Sequence, residues 1–167
     1  MTDRDGGLVR LRDAIDPRAV ALCERLPDRE SAVRRSGELL TVSGRVDPAY
    51  TAQMLDALAE FGPYIVLAPG VALAHARPSA AVHGVAFSIL TLCPPVAFGH
   101  AANDPVQLVV GMAAPDDASH IEALRQLAGL LEADDTREGL MRATEVAEVL
   151  ALLQVPTRAP KTKGARV

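Results

Sequence analysis

The chain has 167 residues, room for one domain and not comfortably for two. Apolar residues make up 49 % of it, aromatics only 3 %, and tryptophan is absent, so the core has to be built from Ala, Val, Leu and Ile. With 17 Lys and Arg against 21 Asp and Glu the formal charge is -4, which argues against nucleic acid because phosphate neutralisation needs a basic face. Cys23 and Cys93 are too few for a disulfide framework, and nothing in the composition points to an oxidising compartment. The charges alternating through Met1 to Asp13 are unlike a secretory signal. The longest apolar stretch, Val85 to Gly99, is broken by Pro94 and Pro95 and is shorter than the ~20 residues that span a bilayer. The expectation is a soluble, cytoplasmic protein with no direct membrane insertion.

The polar, glycine-bearing start (Asp5, Gly6, Gly7) is expected to fray. Ala19 to Cys23 reads as a short apolar strand. Asp28 can cap a helix running to about Ser43, with Ala32, Val33, Leu39 and Leu40 on its buried side. Asp47-Pro48 signals a second helix start, a capping carboxylate followed by proline where a missing N–H costs nothing. That helix puts Tyr50, Met54, Leu55 and Leu58 on one stripe and stops at Gly62-Pro63. Tyr64 to Ala68 reads as a strand ending at Pro69-Gly70, and Val85 to Leu92 and Val106 to Met112 read as two strands buried on both faces. Ser119 to Leu131 predicts a helix burying Ile121, Leu124, Leu127, Ala128 and Leu131. Shorter helices are expected near Asp135 to Arg142 and Thr144 to Leu153. Strands alternating with amphipathic helices predict an α/β three-layer sandwich, its mixed, mostly parallel sheet flanked by helices on both faces. The domain is expected over residues 8–154. Residues 155–167 carry Arg158, Lys161, Lys163 and Arg166 with no acid and read as a disordered basic tail, either a solvated end or a docking segment.

Ligands of such sheets sit where strands end, so the loops of interest are Pro69 to Gly84, Cys93 to Pro105 and Ala113 to His120. Many chemistries are excluded from the folded body. The only lysines are Lys161 and Lys163 in the tail, which removes a Walker-type loop and a Schiff-base lysine. There is no G-x-S-x-G, no H-E-x-x-H and no C-x-x-C, and no two histidines lie within five residues of each other, so no local metal motif exists. All four histidines (His75, His83, His100, His120) lie in or beside the three loops. His75 stands among small apolar residues. Arg77 would project to the same side if the segment is extended and could hold an anion against the imidazole. His120 falls near the first turn of a helix, whose free N–H groups favour anions. Two readings follow from spacing: a histidine nucleophile, a second histidine and a cation around one small anion, or two unrelated surface histidines.

The run Phe61-Gly62-Pro63-Tyr64-Ile65-Val66-Leu67-Ala68-Pro69-Gly70-Val71-Ala72-Leu73-Ala74-His75-Ala76-Arg77-Pro78 closely resembles the active-histidine segment of the mannitol/fructose-type (type 2) enzyme IIA of the bacterial phosphoenolpyruvate-dependent sugar phosphotransferase system. Asn103-Asp104-Pro105-Val106, Ala113-Ala114 and Ser119-His120 are similar to its next blocks, in order. The resemblance spans roughly Leu8 to Gln154, and within the family it looks most like the ascorbate-type branch.

The resemblance implies a phosphoryl carrier with a phosphohistidine intermediate. The histidine phosphocarrier HPr would phosphorylate His75 on Nε2, with Nδ1–H held by a backbone carbonyl or other nearby acceptor, and a cysteine of a cognate enzyme IIB would receive the group. His120 matches the second histidine that hydrogen-bonds the phosphoryl oxygens, Arg77 would help bind them, and Ser119 could support them. Asp104 would either accept a hydrogen bond from His75 or cap its loop. No cofactor or metal is implied, since a histidine rather than a nucleotide is the donor. A regulatory module in which phosphorylation of His75 switches protein binding would share the same residue. Ala74 stands where the family usually has proline, a departure that would loosen the backbone before the histidine. His83 and His100 match no catalytic position, the cysteines read as structural residues, and the apolar fraction permits a homodimer.

Overall fold

A computed structural model describes residues 10–154; the expected frayed start and the expected basic tail lie outside the described residues. In chain order the elements are β1 (Ile15–Glu24), α1 (Arg29–Thr41), α2 (Ala49–Phe61), β2 (Val66–Ala68), β3 (Val71–His75), β4 (Ala86–Val96), β5 (Val106–Ala113), α3 (Asp117–Glu132), α4 (Asp134–Arg142) and α5 (Val146–Leu153). The five strands form one mixed sheet in the order β1-β4-β5-β3-β2. β1–β4 and β3–β5 run parallel, while β4–β5 at the centre and the short β2–β3 edge run antiparallel. Among the described residues no helix is long and apolar enough to cross a membrane.

Period-two alternation divides the sheet between two cores. Ala72, Ala74, Leu90 and Val109 pack against Val33, Leu40, Tyr50 and Met54 of α1 and α2. Val71, Leu73, Phe87, Ile89, Val110 and Met112 pack against Leu127 and Leu131 of α3, Leu140 of α4 and Val149 of α5. Helices therefore cover both faces, as the alternation of strands and helices predicts.

Several local expectations change. The segment after Pro69-Gly70 is not all loop: Val71–His75 is a strand, and its Leu73 and Ala74 are 2 % and 1 % exposed. Small residues hid it, yet it pairs over its full length with β5, from Val71–Leu108 to His75–Met112. Ala74 lies opposite Gly111 in that ladder, so strand pairing holds the backbone where a missing proline was expected to loosen it. Tyr64 belongs to a 3-10 turn (Gly62–Ile65) and only Val66–Ala68 is extended. Pro63 fixes that turn, and the residue before it, Gly62, ends α2 at φ 61°, a left-handed value that favours glycine. Asp47 does not cap α2: no side chain does, and its carboxylate meets His83 Nε2 at 3.1 Å. On α3 the buried stripe is Ala123, Leu127, Leu130 and Leu131, while Ile121 is 66 % exposed and Ala128 is exposed.

Cys23 and Cys93 form a disulfide joining the ends of β1 and β4, with Cα atoms 4.7 Å apart. A separation of 70 residues conceals this contact. Parallel pairing of the two strands creates it by bringing Glu24 opposite Leu92.

α1 packs tightly on the sheet at Gly111, where Ser36 and Leu40 stand over the strand. Ser36 Oγ lies 3.3 Å from Ser88 Oγ, and Ser88 donates to the Ser36 carbonyl at 3.1 Å, so these buried hydroxyls are satisfied. A Cβ on residue 111 would overlap Ser88 Oγ and come within 2.5 Å of Ser36 Oγ. Gly111→Ala should therefore destabilise the fold by about 1–3 kcal/mol, the usual range for overpacking. Urea unfolding measures this, and an unchanged midpoint would mean that the serines shift without cost.

Candidate functional site

The strand period decides where His75 points. Val71 and Leu73 face α3 to α5, so His75, two residues on, projects to that side at the C-terminal end of β3. Its ring is half-buried, and Nδ1 lies 3.0 Å from the Leu73 carbonyl oxygen. A carbonyl can only accept, so the contact assigns the proton to Nδ1 and leaves the Nε2 lone pair free.

α3 brings the second histidine to the same place. Asp116 caps the helix, its carboxylate accepting from the Ser119 N–H and from the Ser119 hydroxyl, both at 2.8 Å. His120 follows one residue later, its ring centroid 5.6 Å from that of His75 with the planes at 48°. His120 Nδ1 is buried with no hydrogen-bond partner. An orphaned N–H costs more than an under-used acceptor, so the ring places its proton on Nε2, where it can be donated. Burial holds the His120 pKa below its ordinary value; the charge His75 can carry lowers it further, and Asp117 partly opposes both.

The remaining expected site residues divide. Arg77 lies two residues past the end of β3, exposed, and no acidic group among the described residues pairs with it. Ser119 gives its hydroxyl proton to Asp116 and so is committed to the helix cap. The same cap takes up the Ser119 N–H, one of the free N–H groups at the start of α3 that were expected to favour an anion. Asp104 lies at the wrong end of β5 for His75. Its two oxygens take the N–H groups of Phe98 (3.0 Å) and Gly99 (2.7 Å), whereas His75 pairs with Met112 at the other end. Its bonds are those of a loop cap. His100 Nδ1 accepts from the Ala102 and Asn103 N–H groups in the same loop, and His83 pairs with Asp47 on the surface. Among the described residues no cluster of three or more His, Cys, Asp or Glu side chains could hold a metal ion.

Two features escape sequence reasoning. Tyr50 satisfies the core stripe of α2, yet its hydroxyl bonds the backbone of Ala76 and Met112 beside His75. Phe61, Tyr64 and Leu67 leave their side chains 51 %, 80 % and 54 % exposed along the end of α2 and the β2 edge, and Ile121 does so next to His120. Continuous apolar runs conceal which members face solvent.

The depressed His120 pKa has a definite consequence for stability. The unfolded imidazole binds its proton at the ordinary value of 6.5 and the folded one only at lower pH, so this site destabilises the fold as pH falls below 6.5. NMR titration of the ring should give a midpoint under that value, and His120→Gln should flatten the acid loss of stability. An unshifted midpoint would mean that the ring is solvated.

The family described as "Phosphoenolpyruvate-dependent sugar phosphotransferase system, EIIA 2" matches residues 13–155. The chain is 35 % identical over 147 residues to the ascorbate-specific PTS system EIIA component of Escherichia coli K12, covering 87 % of this chain and 96 % of that protein. The solution structure of the mannitol-specific cryptic phosphotransferase enzyme IIA CmtB from Escherichia coli superposes with a TM-score of 0.77 at 28 % identity, covering 87 % of this chain and 98 % of that one. Enzyme IIA mannitol from Escherichia coli, solved in complex with phosphorylated enzyme IIB mannitol, gives 0.71 at 29 % identity over 81 % and 94 % of the two chains. A match that runs through nearly the whole described fold establishes that the chain belongs to the EIIA type 2 family of the phosphoenolpyruvate-dependent sugar phosphotransferase system.

Proposed function

We propose that the protein is a cytoplasmic phosphoryl carrier in which His75 Nε2 accepts a phosphoryl group from phospho-HPr and passes it to a cysteine of a cognate enzyme IIB. The observation that carries this reading is the Nδ1–H to Leu73 carbonyl contact at 3.0 Å, which leaves Nε2 as the nucleophile, with the His120 ring centroid 5.6 Å from that of His75. In the first step the Nε2 lone pair attacks phosphorus as the P–N bond of the donor histidine breaks, and the donor ring keeps that electron pair. In the second a thiolate attacks phosphorus, and the departing pair returns to Nε2. The phosphorylated ring is formally cationic, so its Nδ1–H bond to Leu73 strengthens while the group is held. Transfer of this kind passes through a loose, in-line transition state stabilised by positioning and electrostatics. His120 Nε2–H would donate to the phosphoryl oxygens and Arg77 would supply positive charge. Partner class is supported by the solved complex of the mannitol relative with phosphorylated IIB, and the identity to the ascorbate-specific components supports that branch.

Protein incubated with phosphoenolpyruvate, enzyme I and HPr should gain one acid-labile, base-stable phosphoryl group by mass spectrometry. His75→Ala should abolish the gain with little change in the thermal melt; a phosphorylated His75→Ala protein would overturn the assignment. His120→Ala should slow transfer by roughly a hundredfold, the scale of losing one donor to developing charge. Unchanged kinetics would remove His120 from the site.

A further inference from the structure

The ladder between β3 and β5 ends at His75–Met112, and the chain leaves the sheet at Ala76, which is still only 7 % exposed. Backbone groups buried past the last ladder pair need partners from elsewhere. One side chain supplies them. Tyr50, in the first turn of α2 and fully buried, accepts from the Ala76 N–H at 2.8 Å. Its single proton is directed at the Met112 carbonyl (2.9 Å) and the Ala76 carbonyl (3.0 Å). The hydroxyl thus grips the residue after His75 at both its N–H and its C=O, together with the residue paired across from His75.

We propose that Tyr50 is a positioning residue for His75, holding the end of β3 so that the Leu73 carbonyl stays the acceptor for Nδ1–H and Nε2 stays free. This rests on the reading of His75 as the phosphoryl acceptor. The geometry that supports it is specific. Tyr50 lies in the α1/α2 core, whereas the His75 ring lies on the other face, so the phenol acts on the backbone from behind the sheet without occupying the site. Alanine at 74 and 76, both within the same core as Tyr50, keeps the side chains there small. The ring contact of His75 spans only two residues of one strand, so it survives only while the backbone from Leu73 to Ala76 keeps its extended course. Burial pushes the Tyr50 phenol up to about 12, which keeps its proton in place through the neutral range.

The test replaces the hydroxyl alone. In the native protein with 15N-labelled histidine, long-range correlation spectra should show His75 as a single Nδ1–H tautomer. Tyr50→Phe should leave the chain folded, distribute the His75 ring over both tautomers, and slow phosphoryl acceptance from phospho-HPr by about tenfold to a hundredfold, the range that small misplacements produce. A folded Tyr50→Phe protein with the native tautomer and native transfer rate overturns the proposal, even if its melting temperature falls. Failure of the carrier reading is separately visible: the native protein would then take no phosphoryl group on His75, while the tautomer spectra still report whether Tyr50 controls the ring. If Tyr50→Phe does not fold, 3-fluorotyrosine in a Tyr64→Phe chain leaves one fluorine resonance, because the chain has only two tyrosines. That resonance should shift when His75 is phosphorylated, and an unmoved signal overturns the coupling.

Discussion

Which nitrogen of His75 is available depends on one hydrogen bond to a carbonyl two residues back on the same strand. Because the acceptor belongs to the backbone, it has no rotamers and cannot turn away, and no second side chain has to touch the ring to supply it. The cost of this economy is dependence on the strand itself. If β3 were displaced from β5, the Leu73 carbonyl and the His75 ring would change their relation together. Precision at the imidazole is therefore inherited from the β3–β5 ladder and from the two apolar cores that clamp β3 on either face.

The same sheet separates the disulfide and loop caps from the histidine pair. At one end lie the Cys23–Cys93 disulfide, the Asp104 cap on Phe98 and Gly99, and the turn organised by His100. At the other lie His75, His120 and the Tyr50 hydroxyl. Antiparallel pairing of β4 with β5 creates this polarity: Ala86 pairs with Ala113 near the histidines, and Val96 pairs with Val106 near the disulfide. With both cysteines bonded to each other, the described fold holds no free thiol.

On α1 the helix periodicity and the cap were legible because they are local. Asp28 accepts from the Ser31 N–H as its type and position suggest, and Ala32, Val33, Leu39 and Leu40 are buried as their spacing requires. β3 was hidden because Val-Ala-Leu-Ala-His carries no alternating polar face: a strand buried on both sides is apolar throughout and resembles a loop when its residues are small. His75 and His120 could be singled out by residue type and by the surrounding segment, but their 5.6 Å approach depends on a helix docking across the sheet. Asp104 and Ser119 were candidates for a supporting role by residue type. Only three-dimensional hydrogen bonding reveals that Phe98, Gly99 and Asp116 already engage them. Tyr50 was unreadable for another reason: the apolar stripe of α2 accounts for its ring, and nothing in the spacing reports where a phenol oxygen ends.

The electrostatics around the two histidines are moderate, and a carrier benefits from that. A dianion clamped by several buried cations would be held too firmly to leave, whereas transfer needs comparable stability before and after the exchange. Here Asp116 and Asp117 stand at the start of α3, Arg77 is exposed, and His120 favours its neutral form because burial opposes its charge. A neutral imidazole still offers an N–H to a phosphoryl oxygen. Negative charge arriving on His75 would favour the protonated form of His120, strengthening that hydrogen bond only while the group is present. Departure of the group would reverse the bias and restore the neutral ring. Under the proposed function, support that grows with the load and fades with its release would let one imidazole pair serve both the accepting and the donating step.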